Sequence, residues 1–291
     1  MKDLSICIPT FNRFPFLQWT LVKTQIEFPL AKIVVSDNCS TDDTAKTDFA
    51  GVRYFRQGKN VGAFPNMRTA LLAANTKYCM FLADDDYLLP AEVQKGIDFL
   101  ETHPEVLVYY APCQLYDEIQ QKANWDAFYV AEDETFVRAD ALWNFVMHKH
   151  VWPEHAIYRR KGLDEIITPR TAAYWCFTDL ANAAVRGSVH FAKTPFYRNL
   201  TGHPVGPRVK LGDQQCLTDF DSYRWGLEIL AHDIFCKALA SNEAPQLKPM
   251  VNEMIRKFLW SRYEVASRIH DGNGRLDDAN LLKKRMAITG Y

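Results

Sequence analysis

The chain has 291 residues, of which 48% are hydrophobic and 24% are charged, the usage of a folded globular protein rather than of a disordered or fibrous one. Its 34 basic and 35 acidic side chains leave a net charge of −1, which argues against nucleic acid as a partner because there is no broad basic surface to gather it. The seven cysteines are scattered and form no C-x-x-C pair, so neither a disulfide framework nor a thiolate zinc site is predicted.

Neither a signal peptide nor a membrane span is predicted. The N-terminus, Met1-Lys2-Asp3, runs directly into a strand pattern, and no apolar stretch approaches the roughly 20 residues that cross a bilayer. Scattered cysteines suit a reducing compartment. We therefore expect a cytoplasmic protein.

Three apolar runs near the N-terminus each end in a polar break, which predicts strands followed by loops. The runs and their breaks are 4–8 with 9–13, 33–35 with 37–40, and 78–82 with 84–86. The apolar period predicts a helix over 14–27, and Thr41 or Asp42 is the expected helix cap after the second run. Because the runs are continuously apolar, they favour strands buried on both faces of a parallel, doubly wound α/β sheet. Ligands bind beyond the carboxyl ends of such strands, so the three breaks are expected to line one edge.

The later elements are less regular. The predicted elements are a strand over 106–110, helices over 139–148 and 179–186, a strand over 189–192, and helices over 213–240 and 250–269. Pro245 and Pro249 mark the break between the last two helices. We expect one domain over residues 1–211 and a helical C-terminal region over 212–291. The donor half of the domain would cover about 1–110 and its acceptor half about 111–211.

The acidic run Asp84, Asp85 and Asp86 follows the third strand. Successive carboxylates at the end of a buried strand repel one another and lose hydration, so they need a cation or strong hydrogen-bond donors. Oxygen ligands suit Mg²⁺ or Mn²⁺, which one or two carboxylates and substrate phosphates usually hold. The alternative is a solvated acidic turn before a helix that begins near Pro90.

Four segments together resemble family 2 glycosyltransferases, which are inverting enzymes of the GT-A fold. In family order, the matching segments are Pro9-Thr10-Phe11-Asn12-Arg13 for P-x-[YF]-N-R, residues 34–42 for V-V-D-D-x-S-T-D, Asn60-Val61-Gly62 for N-x-G, and residues 81–90 for the DXD-like F-L-D-S-D-D-x-L-x-P. The resemblance covers residues 3 to 110 and is specific because the segments keep their order and spacing. It implies a GT-A type, mainly parallel sheet, here with a helical C-terminal extension.

The resemblance also implies a donor site and a metal site. The implied donor-binding residues are Pro9, Thr10, Asn12, Arg13, Asp37, Asn60, Gly62, Arg68, Asp84 and Asp85, and the implied ligands of Mn²⁺ or Mg²⁺ are Asp85, Asp86 and His203. Asp37 would accept a hydrogen bond such as uracil N3 offers, which favours a UDP-sugar. Each position also has a purely structural interpretation, as a turn, a cap or a surface side chain.

Two departures from the family pattern concern this site. Ala83 replaces the first family aspartate, so the pattern leaves open which of the three following carboxylates contacts metal. Ser36 replaces an acidic residue before Asp37. In addition, Arg68 lies one residue from where the family often has a basic side chain.

On the acceptor side, Asp179 is the candidate catalytic base, because Thr178-Asp179 occupies the place of the family's E-D pair. The alternative is an N-cap for a helix that begins at Leu180. The segment from Tyr197 to His203 is similar to the family's Y-R-x-H loop, in which Arg198 would neutralise the leaving group. Further candidates for sugar contact or core packing are His155, Trp143, Trp152, Tyr174 and Trp175.

The C-terminal region offers two more motifs. Tyr223-Arg224-Trp225 is similar to the Q-x-x-R-W element of processive synthases, but Asp221 stands in place of Gln, so a processive synthase is rejected. Lys283-Lys284-Arg285 favours either peripheral contact with the anionic inner face of a membrane or a solvated final helix.

The leading hypothesis is a metal-dependent inverting glycosyltransferase. It would move a sugar from a nucleotide-diphospho-sugar to the hydroxyl of a carbohydrate or lipid-linked acceptor, in surface polysaccharide or glycolipid synthesis. The alternatives are a nucleotidyltransferase, which usually has a glycine-rich phosphate loop after its first strand, and a non-catalytic nucleotide- or carbohydrate-binding module.

Overall fold

The computed structural model describes residues 1–126, 128–137, 141–142, 145–146, 149, 151–167, 175–207 and 248–289. This part of the chain forms two compact units, the first ending at residue 207 and the second covering 248–289. Most of the helix predicted over 139–148, the helix predicted over 213–240, Trp143, Tyr174 and the segment 221–225 lie outside the described residues. The boundary predicted between 211 and 212 stays a prediction.

Twelve strands lie within the described residues. They are β1 (Leu4–Thr10), β2 (Lys32–Asp37), β3 (Val52–Arg56), β4 (Tyr78–Phe81), β5 (Tyr87–Leu88), β6 (Val106–Tyr110), β7 (Cys113–Asp117), β8 (Lys122–Asp126), β9 (Glu134–Phe136), β10 (Ala156–Arg159), β11 (Ser188–Phe191) and β12 (Tyr197–Gly202). The helices there are α1 (Phe14–Glu27), α2 (Ala63–Leu72), α3 (Pro90–Thr102), α4 (Leu163–Ile166), α5 (Trp175–Ala184), α6 (Lys248–Gly272) and α7 (Leu276–Thr289), with a short 3-10 helix over Asp43–Lys46.

The first unit is built on a sheet in the order β3-β2-β1-β4-β10-β6-β11-β9. The pairs β3-β2, β2-β1, β1-β4 and β6-β11 are parallel, so the predicted α/β class and the mainly parallel sheet are confirmed. β10 runs antiparallel between β4 and β6, which was not predicted. A strand of four residues is too short to show a periodic pattern.

The central strands are buried on both faces, as their apolar sequences predict. Leu4, Ile6 and Ile8 of β1 are inaccessible to solvent and share one core with Leu17 of α1. Helix α3 approaches the sheet closely at Gly96, where an added Cβ would lie 2.7 Å from Ile157 Cδ1. Burial of each large apolar side chain contributes about 1.5–3 kcal/mol to folding.

A second, smaller sheet in the order β5-β12-β7-β8 flanks the end of β4. Its strand β12 pairs antiparallel with β5, with Arg198 opposite Tyr87, and parallel with β7, with Tyr197 opposite Cys113. Because β5 follows the acidic run directly in the sequence, this pairing holds β12 against that run.

The second unit contains α6 and α7, which pack through Tyr263, Ala266, Leu282 and Met286. The helix predicted over 250–269 is confirmed as part of α6. None of the helices in the described residues is both long enough and apolar enough to cross a membrane.

Candidate active site

The acidic run lies at the carboxyl end of β4 and is almost inaccessible to solvent. The exposed fractions of Asp84, Asp85 and Asp86 are 5%, 2% and 1%, so the interpretation as a solvated turn is wrong. Arg13, in the loop after β1, forms ion pairs with both Asp84 (Nη1 to Oδ1, 3.3 Å) and Asp85. The protein therefore places one guanidinium against two buried carboxylates, which partly offsets the cost of burying their charge.

Thr10 connects the end of β1 to the acidic run. Its hydroxyl donates a hydrogen bond to Asp84 Oδ2 at 2.7 Å. In the sheet register Thr10 also lies opposite Asp37, and Pro9 opposite Ser36. The carboxyl ends of β1, β2 and β4 thus meet at one edge, as the sequence predicts.

Asp86 accepts three hydrogen bonds from β12. Its Oδ2 accepts from the Tyr197 hydroxyl at 2.9 Å and from Asn199 Nδ2 at 3.2 Å, and its Oδ1 accepts from the Leu200 N–H at 2.9 Å. The Tyr197 hydroxyl in turn accepts from the Ala83 N–H at 3.0 Å. These contacts fasten the acidic run to the small sheet. Tyr197 and Asn199 were not predicted to contact Asp86, although they lie in the segment that resembles the Y-R-x-H loop.

Asn12 ties the loop after β1 to the loop after β2. Its backbone is left-handed, with φ +52°, a region that asparagine visits more readily than most residues. Its Oδ1 accepts from the N–H groups of Thr41 (2.7 Å) and Asp42 (3.4 Å), and its own N–H donates to Ser40 Oγ at 2.8 Å.

Asp42 acts as a double cap. Its carboxylate accepts from the Thr44 N–H at 3.1 Å and from the Phe14 N–H at 3.0 Å. It thus caps the 3-10 helix that follows β2 and also binds the first residue of α1. The predicted cap is confirmed, but the helix it begins is a single 3-10 turn.

Asp37 is fully buried at the end of β2. Its Oδ1 accepts from the Ser40 N–H at 2.9 Å, and its Oδ2 accepts from the Tyr54 hydroxyl at 2.8 Å and lies 3.4 Å from Arg56 Nε. Burial, and after it the bond to Asp37, raises the pKa of Tyr54. These contacts hold the Asp37 carboxylate in one orientation at the carboxyl edge of the sheet.

The Asn60-Val61-Gly62 segment is attached to the end of β2 through Asn38. Asn38 Nδ2 donates to Asn60 Oδ1 at 2.8 Å, and the Val61 N–H donates to Asn38 Oδ1 at 2.8 Å. Gly62 has φ +91°, a conformation that side chains with a Cβ rarely adopt. Helix α2 therefore begins at a fixed position beside the site.

Asn66, on α2, is a structural residue of the site that was not predicted. Its Nδ2 donates to the Ser36 carbonyl at 2.8 Å, and its Oδ1 accepts from Ser36 Oγ at 2.7 Å. The serine that departs from the family pattern is thus paired with a buried amide. The available signal was an asparagine on the same buried helix face as Ala70.

Arg68 lies on α2, two residues after Asn66. Its Nε is buried and has no hydrogen-bond partner among the residues that the structure describes. A buried guanidinium N–H without a partner is unusual in folded proteins. This position is compatible with the predicted contact to a donor.

Arg198 and His203 lie beside the acidic run, each in an aromatic environment. Arg198 Nη1 donates to the Tyr87 hydroxyl at 2.6 Å, and its guanidinium lies 3.9 Å from the Tyr116 ring centroid. The His203 ring lies 4.8 Å from that of Phe16, and the Arg13 guanidinium lies 4.9 Å from the same Phe16 ring. His203 Nδ1 accepts a hydrogen bond from the Val205 N–H at 3.1 Å. The predicted metal role of His203 stays a prediction.

Asp179 lies within helix α5 and has an exposed fraction of 1%. The N-cap interpretation is therefore wrong, because the helix already includes Trp175. Burial, and after it the charge of Asp179, raises the pKa of Tyr110 at the end of β6. The charge of Asp179 thus acts on a residue at the end of the large sheet, and its role as a base stays a prediction.

His155 and two of the predicted aromatic residues pack around the acceptor half. The His155 ring centroid lies 3.9 Å from that of Tyr197, and burial lowers the pKa of His155 to about 3, so its imidazole is neutral near pH 7. Trp152 packs edge-on against Phe177 at 5.3 Å, and Trp175 lies in the core.

The described residues contain no group of three His, Cys, Asp or Glu side chains that could by itself hold a metal ion. The acidic run supplies carboxylate oxygens, the ligands that Mg²⁺ and Mn²⁺ prefer, and such ions commonly complete their shell with substrate phosphates. The donor set therefore fits a cation that binds together with a diphosphate.

Comparisons with known proteins relate the chain to enzymes that transfer sugars. Residues 5–167 match the family model described as glycosyl transferase family 2. The chain is 35% identical over 97 residues to the GalNAc(5)-diNAcBac-PP-undecaprenol beta-1,3-glucosyltransferase of Campylobacter jejuni, with 31% of each chain covered. It is 34% identical over 96 residues to the abequosyltransferase RfbV of Salmonella typhimurium, with 29% of this chain and 28% of that protein covered. The chain spans about a third of the length of these curated relatives.

Solved structures share the fold at low sequence identity. S. aureus TarS 1–349 in complex with UDP-GlcNAc has a TM-score of 0.55 and 14% identity, covering 99% of this chain and 92% of that one. The mannosyltransferase PcManGT from Pyrobaculum calidifontis, in complex with GDP-Man and Mn²⁺, has a TM-score of 0.52 and 16% identity, covering 99% and 76%. The predicted GT-A type fold is confirmed. Since the family model covers more than half of the chain, including β1, β2, β4 and the acidic run, the chain belongs to glycosyl transferase family 2.

Proposed function

We propose that the protein transfers a sugar, with inversion, from a nucleotide-diphospho-sugar to an acceptor hydroxyl. The observation that carries the proposal is the pair of buried carboxylates, Asp84 and Asp85, held by Arg13 where three strands end. This arrangement offers carboxylate oxygens for a cation and a guanidinium for a phosphate within one small volume.

Mn²⁺ or Mg²⁺ is the proposed cofactor, and Asp85 is its proposed principal ligand. Bound there, the ion would stabilise the negative charge that develops on the departing diphosphate. Asp86 was also predicted as a ligand, but both of its oxygens accept hydrogen bonds from β12. Those contacts favour a positioning role for Asp86. Thr10 holds Asp84 in place through its hydroxyl.

A uridine nucleotide is the proposed donor base. Asp37 is held at the edge of the sheet by Ser40 and Tyr54, and its carboxylate would accept from the N3–H group of uracil. The structural neighbours were solved with UDP-GlcNAc and with GDP-Man, so a donor panel must include both bases. Arg68 would contact the diphosphate.

A carbohydrate or lipid-linked acceptor is proposed, in surface polysaccharide or glycolipid synthesis. The name of the C. jejuni relative includes an undecaprenol diphosphate acceptor, and a lipid-linked acceptor would place the reaction at the inner face of a membrane. Cys7, Cys39, Cys79, Cys113 and Cys176 are free, which supports a reducing, cytoplasmic compartment. Membrane contact through the basic segment 283–285 stays a prediction; in the structure Lys283 pairs with Asp271 at 2.8 Å.

The test is a thermal-shift screen of UDP- and GDP-sugars with and without Mn²⁺, followed by detection of the released product. We expect one UDP-sugar to raise Tm in the presence of Mn²⁺ and to release UDP on incubation. Release of pyrophosphate would instead identify a nucleotidyltransferase, and binding without consumption would identify a binding module.

A further inference from the structure

A second acidic residue of the acceptor half lies close to the proposed reaction centre. Glu154 immediately precedes β10, next to His155. The His155 ring lies 3.9 Å from the Tyr197 ring, and the Tyr197 hydroxyl donates to Asp86. Two aromatic rings therefore connect the backbone at Glu154 to the acidic run.

The charge of the Glu154 carboxylate acts on two buried thiols. Burial, and after it the charges of Glu154 and Asp86, raises the pKa of Cys113, which lies opposite Tyr197 in the small sheet. Burial, and after it the charges of Glu154 and Asp179, raises the pKa of Cys176 on α5. The charge of Glu154 thus acts on the same thiol as Asp86 of the acidic run and on the same thiol as Asp179 of α5.

The hydrogen bonding of Glu154 leaves one of its oxygens available. Oε2 accepts from the Trp152 indole N–H at 3.1 Å, and the Trp152 ring is itself held edge-on by Phe177 at 5.3 Å. Oε1 has no hydrogen-bond partner in the part of the chain that the structure describes. The Glu154 residue is partly exposed, whereas Asp179 has an exposed fraction of 1%. A base must touch the hydroxyl that it deprotonates, so accessibility favours Glu154.

We propose that Glu154 Oε1 accepts the proton of the acceptor hydroxyl, and that Trp152 orients the carboxylate. Asp179 is then a positioning residue of α5. This inference rests on the proposed function. In the step, the acceptor oxygen bonds to the anomeric carbon as the bond from that carbon to the diphosphate oxygen breaks. The electron pair of the broken bond leaves with the nucleoside diphosphate, and the proton passes to Glu154.

The environment of Glu154 makes it a stronger base than an exposed glutamate. Burial raises the pKa of the Glu154 carboxyl, and the bond from Trp152 opposes that change. The titratable groups on which its charge acts are the thiols of Cys113 and Cys176, and the next residue in the chain is the neutral His155. Because the carboxylate must be ionised to accept a proton, turnover should fall as pH decreases through this raised pKa.

The experiment compares Glu154→Gln, Asp179→Asn and the surface control Glu105→Gln. The donor is the nucleotide-sugar identified in the screen, the acceptors are water and a set of methyl glycosides, and the readout is release of nucleoside diphosphate. Glu154→Gln should lower kcat by about 10²- to 10⁴-fold, as loss of a general base does. It should leave the rise in Tm that the donor causes unchanged. It should also remove the acid limb of the pH profile, which is the fall in kcat as pH decreases.

Trp152→Phe supplies a readout that a purely structural role would not change. It keeps an aromatic ring against Phe177 but removes the N–H that favours the charged carboxylate, so the acid limb should move to higher pH. Glu154→Asp should recover part of the activity, and Tm measurements identify any variant that fails to fold.

The proposal is overturned if folded Glu154→Gln keeps kcat within about threefold of the unmodified protein, a loss far below that of a missing base. It is also overturned if Asp179→Asn alone removes the acid limb. If the unmodified protein consumes no nucleotide-sugar, the proposed function fails instead, and the two failures are thereby distinguished.

Discussion

The Tyr197 hydroxyl donates a hydrogen bond to Asp86 Oδ2 at 2.9 Å, across 111 residues of sequence. The same hydroxyl accepts from the Ala83 N–H, so one side chain of β12 contacts the last residue of the acidic run and the residue that precedes the run. The geometry of the proposed donor site therefore depends on a strand that lies far along the chain, in the acceptor half. Substitutions at this contact should change stability and activity together.

Tyr197→Phe should destabilise the first unit. The change removes a hydrogen bond to a buried carboxylate, which typically contributes about 1.5–3 kcal/mol. Each kcal/mol should lower Tm by about 2–4 °C in a domain of this size. The control is Tyr116→Phe, which loses a bond to the Gln121 side chain and should alter stability by about 0.5 kcal/mol or less. Equal shifts in the two variants would contradict a special role for the contact between Tyr197 and Asp86.

Asp85→Asn and Asp86→Asn should have different effects, although the two residues are adjacent. Asp85→Asn should lower turnover by about 100-fold or more while Tm stays near that of the unmodified protein, because the lost charge acts mainly on the reacting groups. In Asp86→Asn, the N–H groups of the new amide would face the hydrogen-bond donors of β12, and two donors cannot bond to each other. The free energy of unfolding should therefore fall by about 1–3 kcal/mol. The measurements are nucleoside diphosphate release and Tm, each with and without Mn²⁺.

A different result at Asp86 would restore it as a metal ligand. If Asp86→Asn keeps the Tm of the free protein but abolishes the additional stabilisation that Mn²⁺ gives in the presence of UDP, the ion binds at Asp86. In that case the contacts with Tyr197 and Leu200 do not define its role.

The sequence predicts the elements whose signal is local and periodic. The helix over Phe14–Glu27 and the strands that end at Thr10, Asp37 and Phe81 follow from continuous apolar runs and helical spacing. The meeting of their polar ends follows from the rule that parallel strands present their carboxyl ends at one edge.

The remaining parts depend on pairing between distant residues. Strand β5 has two residues, and its partner β12 lies more than 100 positions later, so no local pattern marks it. Asp86 was expected to bind metal because nothing near it in the sequence shows that Tyr197 and Leu200 bind its carboxylate. Burial of Asp179 inside α5 likewise depends on how that helix packs against the sheet.

Substitutions of Asn12 separate two effects, the hydrogen bonds that tie the loop after β1 to the loop after β2 and the strain of a left-handed backbone. Asn12→Gly and Asn12→Ala both lose the bonds to Thr41 and Asp42, but only the alanine variant must hold a Cβ at φ +52°. The alanine variant should therefore be less stable than the glycine variant by about 1 kcal/mol. Both should raise the KM for the donor, because the loops after β1 and β2 are no longer tied. An unchanged KM in the glycine variant would show that the hydrogen bonds of the Asn12 side chain are not needed for donor binding.

Arg68 should bind the diphosphate of the donor rather than its base. Its Nε is buried without a partner among the described residues, so Arg68→Met should leave the Tm of the free protein unchanged or raise it. Loss of a charged hydrogen bond of about 1.5–3 kcal/mol should weaken UDP binding by about 10- to 100-fold and leave uridine binding unchanged.

The control Arg53→Met acts at the other end of α2, where Arg53 donates to the Ala73 carbonyl. It should leave UDP affinity unchanged. Calorimetric titration with UDP and uridine measures both affinities; an equal loss for the two ligands would place Arg68 at the base, and no loss would remove it from the site.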